Sequence, residues 1–391
     1  MSTQGQRLGV GMVGYSFMGE THSLAWRDVN RFFDLPAQVD MVAIAGRNPD
    51  SVQAAADKLG WRESVTDWRE LIARDDIDVI DICTPGDTHA EIAIAALEAG
   101  KHVICEKPLA NTRAEAEAMV AAADAAHAKG AKAMVGFNYR RVPAMSFARQ
   151  MIADGRLGEI RHVRARYLQD WITDPDFPLV WRLQKDLAGS GALGDIGAHI
   201  IDLSQFLLDE NLNEVSALLE TFIKERPLAD GSAGLSASGA VETGEVTVDD
   251  AALFIGRFNG GAIGTFEATR FASGRKNAIQ LEINGSKGSI AFDFESFNEL
   301  WFHDDTQPAA EAGFRRILVT EEEHPYVAAW WPPGHVIGYE HTFTHEMRDF
   351  VEAVVNGDDP RPSFKEGLQV QRVLDAVEES ANARSWQQID S

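Results

Sequence analysis

Two pairs of ionisable side chains four residues apart and one glycine-bounded turn are the features of this sequence whose types and spacing could do chemistry. Asp195 and His199 share one face if their segment is helical, where a carboxylate can orient an imidazole or bind a polar ligand, and the imidazole can take a proton near neutral pH. The same spacing also describes a surface pair or a helix cap. His341 and His345 repeat the interval, but no third ligand is specified and no His-Glu-x-x-His occurs, so the expectation is a structural or substrate-facing pair and no metal. The turn is Gly14-Tyr15-Ser16-Phe17-Met18-Gly19, which ends an apolar run and enters a helical pattern beginning near Thr21. Gly14 permits a tight turn, Gly19 permits close helix packing, and a helix N-terminus points free N–H groups toward phosphate. Gly14, Ser16, Phe17 and Met18 are therefore candidate dinucleotide contacts. Ser16 stands where a glycine is expected; its Cβ holds the backbone off phosphate, while its hydroxyl can donate a hydrogen bond. A plain strand–turn–helix corner would use the same glycines. A hydrolase elbow, Gly-x-Ser-x-Gly, does not fit the two residues between Ser16 and Gly19, and the overlapping Gly9-x-Gly11-x-x-Gly14 lies inside a strand where it cannot wrap a pyrophosphate.

The elements that must carry these groups follow from hydrophobic periodicity. Leu8–Val13, Met41–Ala45, Val79–Cys83, His102–Cys105 and Ala133–Phe137 read as strands, with helices at Asp87–Ala99 and Thr112–Lys129 that stop at Gly100 and Gly130. This rhythm implies a parallel sheet of βαβ units. Beyond about Arg140 the pattern changes to strands joined by turns, at Arg161–Leu168, Val215–Ile223, Ala251–Phe258, Ala262–Ala268, Ile279–Ile283 and Ser289–Phe294, with a long mobile loop expected from Arg226 to Glu245. The fold class expected is α/β: an N-terminal Rossmann parallel sheet over 1–138, then an α+β domain built on an open, largely antiparallel sheet over 139–391. The second strand ends at Ala45-Gly46-Arg47-Asn48 without the acidic residue that would hold an adenosine 2′-hydroxyl. Asp40 has the right distance from Gly19 but precedes that strand. Arg47 could meet a 2′-phosphate or stack on adenine, so the cofactor expectation is NAD or NADP.

At 391 residues two domains are expected, and 45% hydrophobic with 25% charged residues is ordinary for a folded chain. A net charge of −24 with no basic patch argues against nucleic acid or an anionic membrane as partner. Neither a signal-like start nor a membrane-length apolar run is present, so a cytoplasmic location is expected. Cys83 and Cys105 sit in separate apolar runs and read as core thiols. Trp330-Trp331-Pro332-Pro333-Gly334-His335 and Tyr339 form an aromatic, kinked stretch before a helix at Glu340–Val355; such rings suit sugar faces and oligomer interfaces alike.

Asp81-Ile82-Cys83-Thr84-Pro85, His89, then Gly100-Lys101-His102-Val103-Ile104-Cys105-Glu106-Lys107-Pro108-Leu109-Ala110, and far downstream Gly194-Asp195-Ile196-Gly197-Ala198-His199, together resemble the glucose–fructose oxidoreductase and inositol dehydrogenase family (Gfo/Idh/MocA). The likeness spans essentially the whole chain. It implies Lys107, Asp195 and His199 as catalytic residues, Thr84, Pro85 and His89 near the cofactor, Glu106 beside the nicotinamide ribose, and homodimers or homotetramers formed through the sheets. Phe137-Asn138-Tyr139-Arg140-Arg141, Tyr167-Leu168-Gln169-Asp170-Trp171, Trp181-Arg182 and Gly189-Ser190-Gly191-Ala192-Leu193 look like the branch containing levoglucosan dehydrogenase and glycoside 3-dehydrogenases. Asn138, Tyr139, Arg140, Gln169, Trp171, Arg182 and Tyr339, with Lys107, Asp195 and His199, are accordingly the expected substrate contacts.

The activity this implies is NAD(P)-dependent oxidation of a ring secondary hydroxyl of a sugar, glycoside, anhydrosugar or cyclitol. Such a reaction needs a proton acceptor and a donor or cation for the developing alkoxide, which histidine and lysine can supply in either assignment. We favour His199 as the acceptor and Lys107 on the oxygen. The competing readings are a redox-neutral enzyme that uses transient oxidation for epimerisation, elimination or glycoside cleavage, and a dinucleotide-sensing regulator.

Overall fold

The computed structural model describes residues 5–229 and 239–390 and groups them into two units. The first runs through Arg141 and regains Ile337–Leu368; the second holds Val142–Val336 and the chain from Gln369 onward. The boundary expected at 138/139 thus falls at Arg141, and the segment 337–368, expected with the second domain, packs with the first.

The first unit contains β1 (Arg7–Val13), α1 (Phe17–Phe32), β2 (Gln38–Ala45), α2 (Pro49–Leu59), β3 (Glu63–Val65), α3 (Trp68–Ile72), β4 (Val79–Ile82), α4 (His89–Glu98), β5 (His102–Glu106), α5 (Arg113–His127) and β6 (Ala133–Gly136). All its strand pairs are parallel, in the order β3-β2-β1-β4-β5-β6. This is the doubly wound arrangement, which places the ends of β1, β4, β5 and β6 along one edge where ligands of such sheets sit. The strands are apolar because helices cover both faces; β4 is buried throughout. Gly9 and Gly11 lie within β1, where a Cβ on Gly9 would come within 1.9 Å of the Asp76 carbonyl oxygen, so they are packing glycines, as their position in the strand implied. Asp40 is inside β2 rather than ahead of it, but lies near the strand's start and pairs with Arg7.

The helix Tyr339–Asn356 packs on α1 and inserts Phe343, Met347, Phe350 and Val351 into the core formed by Trp26, Val29, Ile44, Ile104 and Met134. Truncating one of these fully buried phenylalanines to alanine would cost about 3–5 kcal/mol. The helix is therefore part of the nucleotide-binding unit's core, although all strands of the second sheet but β17 separate the two in sequence.

The second unit contains α6 (Pro143–Ala153), β7 (Ile160–Leu168), α7 (Lys185–Ala188), α8 (Ala198–Leu208), β8 (Leu212–Glu220), β9 (Glu225–Ala229), β10 (Gly239–Glu245), β11 (Ala251–Phe258), β12 (Ile263–Thr269), β13 (Ala278–Gly285), β14 (Gly288–Asp293), β15 (Glu299–Asp304), β16 (Arg315–Leu318) and β17 (Gln387–Gln388). Nine of these strands form one sheet, β16-β15-β14-β13-β7-β12-β11-β8-β17, antiparallel except at β7–β12. In β11 burial alternates: Phe254 and Phe258 point inward, Leu253 and Ile255 outward. α6 and α8 pack together on the inner face. The expected loop from Arg226 to Glu245 is instead β9 and β10, an antiparallel pair, with 230–238 outside the described residues. The fully buried Arg226 guanidinium explains the order, since it donates to the carbonyls of Ile172, Asp174 and Phe177. Among the described residues no helix is long and apolar enough to cross a membrane.

Candidate active site

In the first unit the expected residues gather at the ends of β1, β4, β5 and β6. Gly14 adopts φ +103°, and a Cβ there would come within 2.7 Å of the Cys83 carbonyl oxygen, so the turn closes against the end of β4 only because a side chain is missing. α1 starts at Phe17, earlier than the expected Thr21, because Gly19 lies against the Gly14 carbonyl, where a Cβ would come within 2.4 Å of its oxygen. Ser16 precedes the helix without making a side-chain cap bond, and both Ser16 and Phe17 are exposed. Their position leaves the first-turn N–H groups and the serine hydroxyl facing outward. Arg47 is exposed just after β2, where Asn48 caps α2 through Ser51 N–H at 2.9 Å.

Thr84 and Pro85 follow β4 at the same edge. His89 is buried, and its ring nitrogens lie 2.9 Å from the Thr84 carbonyl oxygen and 3.0 Å from that of Pro108. The ring is a strap between two loops rather than a polar face turned to a ligand. Glu106 ends β5, with one oxygen accepting the Lys107 N–H at 3.2 Å, and Lys107 is half-buried. Phe17 stacks on Tyr339 at a centroid distance of 6.4 Å, and Tyr139 approaches Tyr339 at 6.2 Å, so three expected ligand contacts form one aromatic group. Asn138 donates to the Thr342 hydroxyl and Arg140 to Glu366 at 2.8 Å, which ties both side chains into this unit. Burial pushes the Glu366 carboxyl up, but Arg140 and Arg361 hold it down to about 2.

In the second unit Gln169, Trp171, Arg182, Asp195 and His199 are linked through residues the sequence reading did not single out. Asn277 Oδ1 accepts from the Tyr167 hydroxyl at 2.6 Å and from Gln169 Nε2 at 2.9 Å, and Gln169 Oε1 accepts from Trp171 at 3.0 Å. The Tyr167 ring lies 5.8 Å from that of His199. Arg270, which follows β12, sits over Trp171 and donates to Asp195 Oδ2 at 3.0 Å and to the Gly191 carbonyl at 2.8 Å. Burial holds Arg182 below the usual guanidinium range, against the pull of Asp195.

The expected single helical face for Asp195 and His199 needs correction. Leu193–Gly197 is a π-helical turn and α8 begins at Ala198, so the two side chains are offset from α-helical register. Two ties hold this segment. The buried Asp249 carboxylate accepts from Gly191 and Leu193 N–H, both at 2.8 Å, and a Cβ on Gly191 would come within 1.8 Å of the Asp249 carbonyl oxygen. That close approach is the physical reason for the glycine.

His341 and His345 lie on the helix Tyr339–Asn356, as the helical pattern at Glu340–Val355 implied. His341 Nδ1 accepts the Gly338 N–H, and His345 Nδ1 donates to the Arg141 carbonyl at 2.9 Å, while burial lowers His345 to about 3. His345 therefore serves packing, while His341 ties down the start of the helix. Cys83 and Cys105 are buried free thiols.

A model of the oxidoreductase family's NAD-binding Rossmann fold matches residues 8–137, and one of the GFO/IDH/MocA C-terminal domain matches residues 145–291. The chain belongs to the Gfo/Idh/MocA oxidoreductase family. It is 47% identical over 388 residues to levoglucosan dehydrogenase of Pseudarthrobacter phenanthrenivorans, covering 97% of this chain and 98% of that one. The crystal structure of an oxidoreductase domain protein from Kribbella flavida has a TM-score of 0.95 at 62% identity, covering 99% of this chain and all of that one. Levoglucosan dehydrogenase in complex with NADH has a TM-score of 0.93 at 44% identity with the same coverage.

This member of the Gfo/Idh/MocA family is thus an NAD-binding oxidoreductase of the sugar dehydrogenase type. Its own backbone fits the cofactor: the bare Gly14 turn, the uncapped start of α1 and the exposed Ser16 hydroxyl form a cradle of donors for a pyrophosphate. The Tyr15 ring packs on Gly46, where a Cβ would come within 2.0 Å of it, and keeps the turn next to the end of β2.

Proposed function

We propose that this protein oxidises a ring secondary hydroxyl of a sugar, glycoside, anhydrosugar or cyclitol to the ketone, C3 of a pyranoside being the carbon to which the resemblance to glycoside 3-dehydrogenases points. The catalytic set is Lys107, Asp195 and His199. Bound NAD supplies the hydride acceptor. His199 takes the hydroxyl proton, the Lys107 ammonium steadies negative charge on the oxygen, and Asp195 binds a neighbouring hydroxyl or orients the imidazole. Gln169 fixes the Trp171 indole through its amide, and the indole supplies the aromatic face that suits the C–H side of a sugar ring.

The observation that carries this reading is the linked group in the second unit: an imidazole beside Tyr167, a carboxylate held by Arg270, and the Gln169–Trp171 pair between them in the chain of contacts. Membership of a family containing levoglucosan dehydrogenase supports it further. We also assign Gly14, Ser16, Phe17, Met18, Thr84, Pro85 and Glu106 to the cofactor's surroundings.

The exposed row Leu218, Leu253, Ile255 and Ile263 on the outer sheet face supports a homodimer or homotetramer through that face, and a cytoplasmic location is the consistent setting. The test is a spectrophotometric screen of sugars, anhydrosugars, glycosides and inositols. One reduced cofactor formed per sugar consumed is the expected result. Sugar conversion without net reduction of cofactor would replace the dehydrogenase by the redox-neutral reading.

A further inference from the structure

Beneath the Glu106–Lys107 edge Glu106 joins two fully buried residues, His22 and Asp81, that neither the cofactor cradle nor the substrate contacts use. His22, on the inner face of α1, has Nδ1 at 3.0 Å from both Asp81 oxygens and Nε2 at 3.0 Å from Glu106 Oε1. A neutral imidazole has one donor and one acceptor, whereas carboxylate oxygens only accept, so a neutral ring would leave one of these contacts repulsive. The proton has no better place on the carboxyls. Asp81 also accepts from Trp26 Nε1 at 2.7 Å and from the Cys83 thiol at 3.5 Å, and the second Glu106 oxygen accepts the Lys107 N–H. Three of the four carboxylate oxygens already accept from other donors; Glu106 Oε1 meets only His22 Nε2, and the proton between them belongs on the imidazole, the more basic of the two groups.

The groups facing His22 are Asp81 from β4, Cys83 just after it, Glu106 from β5, Trp26 from α1 itself, and Phe343 and Glu346 from the helix Tyr339–Asn356. Burial, the largest single influence, pushes the His22 ring down, but Asp81 and Cys83 together outweigh it and hold the ring well above its ordinary range. Glu106 has little freedom to turn away. A Cβ on Gly136 would come within 2.7 Å of Glu106 Oε1, so the carboxylate lies against bare backbone of β6. His22, Asp81 and Cys83 also have the mutual spacing of a metal site. Burial raises the Cys83 thiol far from the thiolate a metal needs, and Asp81 is already saturated by Trp26 and His22, so the set is a hydrogen-bond network.

We propose that His22 is a positioning residue: as a standing imidazolium it clamps Glu106, whose second oxygen holds the Lys107 backbone and so fixes the turn on which the Lys107 ammonium is presented. The inference rests on the proposed catalytic role of Lys107, but its first test does not require turnover. Long-range 1H–15N spectra of histidine-labelled wild-type enzyme with NADH, from pH 6 to 9, should contain a ring with both nitrogens protonated throughout that His22→Asn removes, whatever the state of His89, whose nitrogens also face two carbonyl oxygens. A spectrum in which every ring loses a proton by pH 9 overturns the clamp, whether or not any variant folds. The second test is a double-mutant cycle in sugar oxidation. His22→Asn should lower kcat about tenfold while NADH affinity changes less than threefold, and adding it to Glu106→Gln should cost nothing further. Additive losses would mean that His22 acts only on stability. If no sugar is turned over at all, the Lys107 assignment fails, while the spectrum still decides the state of His22.

Discussion

Arg270 and Asp195 meet at 3.0 Å, with the guanidinium 1% exposed and the carboxylate 28% exposed. The buried partner is the fixed one: Arg270 also donates to the Gly191 carbonyl, so one side chain sets both the glycine-rich approach and the direction of the Asp195 carboxylate. A planar guanidinium can serve two acceptors at fixed angles, and an ammonium cannot reproduce that fork. Arg270→Lys should therefore lower kcat/KM for the sugar at least about tenfold with NADH binding unchanged, because the role proposed for the affected carboxylate is on the substrate and not on the cofactor. Arg270→Ala should in addition destabilise the protein by about 3 kcal/mol, since it strips partners from buried acceptors. Wild-type kcat/KM in the lysine variant would detach Arg270 from substrate handling.

Lys107 is the group whose loss should be seen in turnover and not in cofactor binding. Its backbone is held by Glu106, so Lys107→Ala keeps the turn and removes only the ammonium. A drop in kcat of at least about 10²-fold is expected for loss of an acid–base or electrostatic group, with NADH fluorescence titrations close to wild type. Turnover within a few-fold of wild type would remove this lysine from the chemistry.

Five strands of the parallel sheet were legible because each is a short apolar run set off by turns and helical patterns, whereas β3, Glu63–Val65, is three residues that begin on a charge and left no such run; the corner at Gly14 was legible because it joins the end of an apolar strand to a helical pattern. What escaped was long-range. Nothing local in Tyr339–Asn356 says that Phe343 and Phe350 complete the core around Trp26, since amphipathic periodicity reports that a face is buried and not what covers it. Arg226 hid a hairpin inside a Gly- and Ser-rich stretch, because its three carbonyl partners lie some fifty residues upstream. Asp81 did leave a signal. A carboxylate inside the buried run Val79-Ile80-Asp81-Ile82 cannot stand alone, and asking for its partner leads to His22 and Trp26. The π turn at Leu193–Gly197 left none, so the spacing of Asp195 and His199 suggested a simpler geometry than the one found.

Arg47 makes cofactor preference testable. It stands exposed directly after β2, where a carboxylate would favour the 2′-hydroxyl of NAD and a guanidinium can accept a 2′-phosphate. Measurable NADP binding is expected beside NAD binding, and Arg47→Glu should weaken NADP about tenfold or more while leaving NAD within about threefold, as loss of one charge-assisted phosphate contact implies. Equal effects on both dinucleotides would show that the side chain meets adenine and not phosphate.

Glu346 gives a prediction about stability in which the sign can be worked out. It is fully buried 3.1 Å from Arg141, and burial, reinforced by Glu106 and Asp81, raises its carboxyl from 4.5 to about 7. In the unfolded chain the proton leaves near 4.5, in the native protein near 7, so between those values the native state binds more protons and stability falls as pH rises. The difference amounts to on the order of 3 kcal/mol. His345 runs the other way, lowered from 6.5 to about 3, so its neutral form contributes stability present above 6.5 and lost as pH falls toward 3. The two slopes overlap, and only a variant separates them. Glu346→Gln keeps the shape and one acceptor for Arg141 but has no proton to lose. Urea unfolding of both proteins at pH 5 and pH 8 should show the variant gaining on wild type at the higher pH. Parallel curves would mean that Arg141 alone keeps Glu346 ionised across the range.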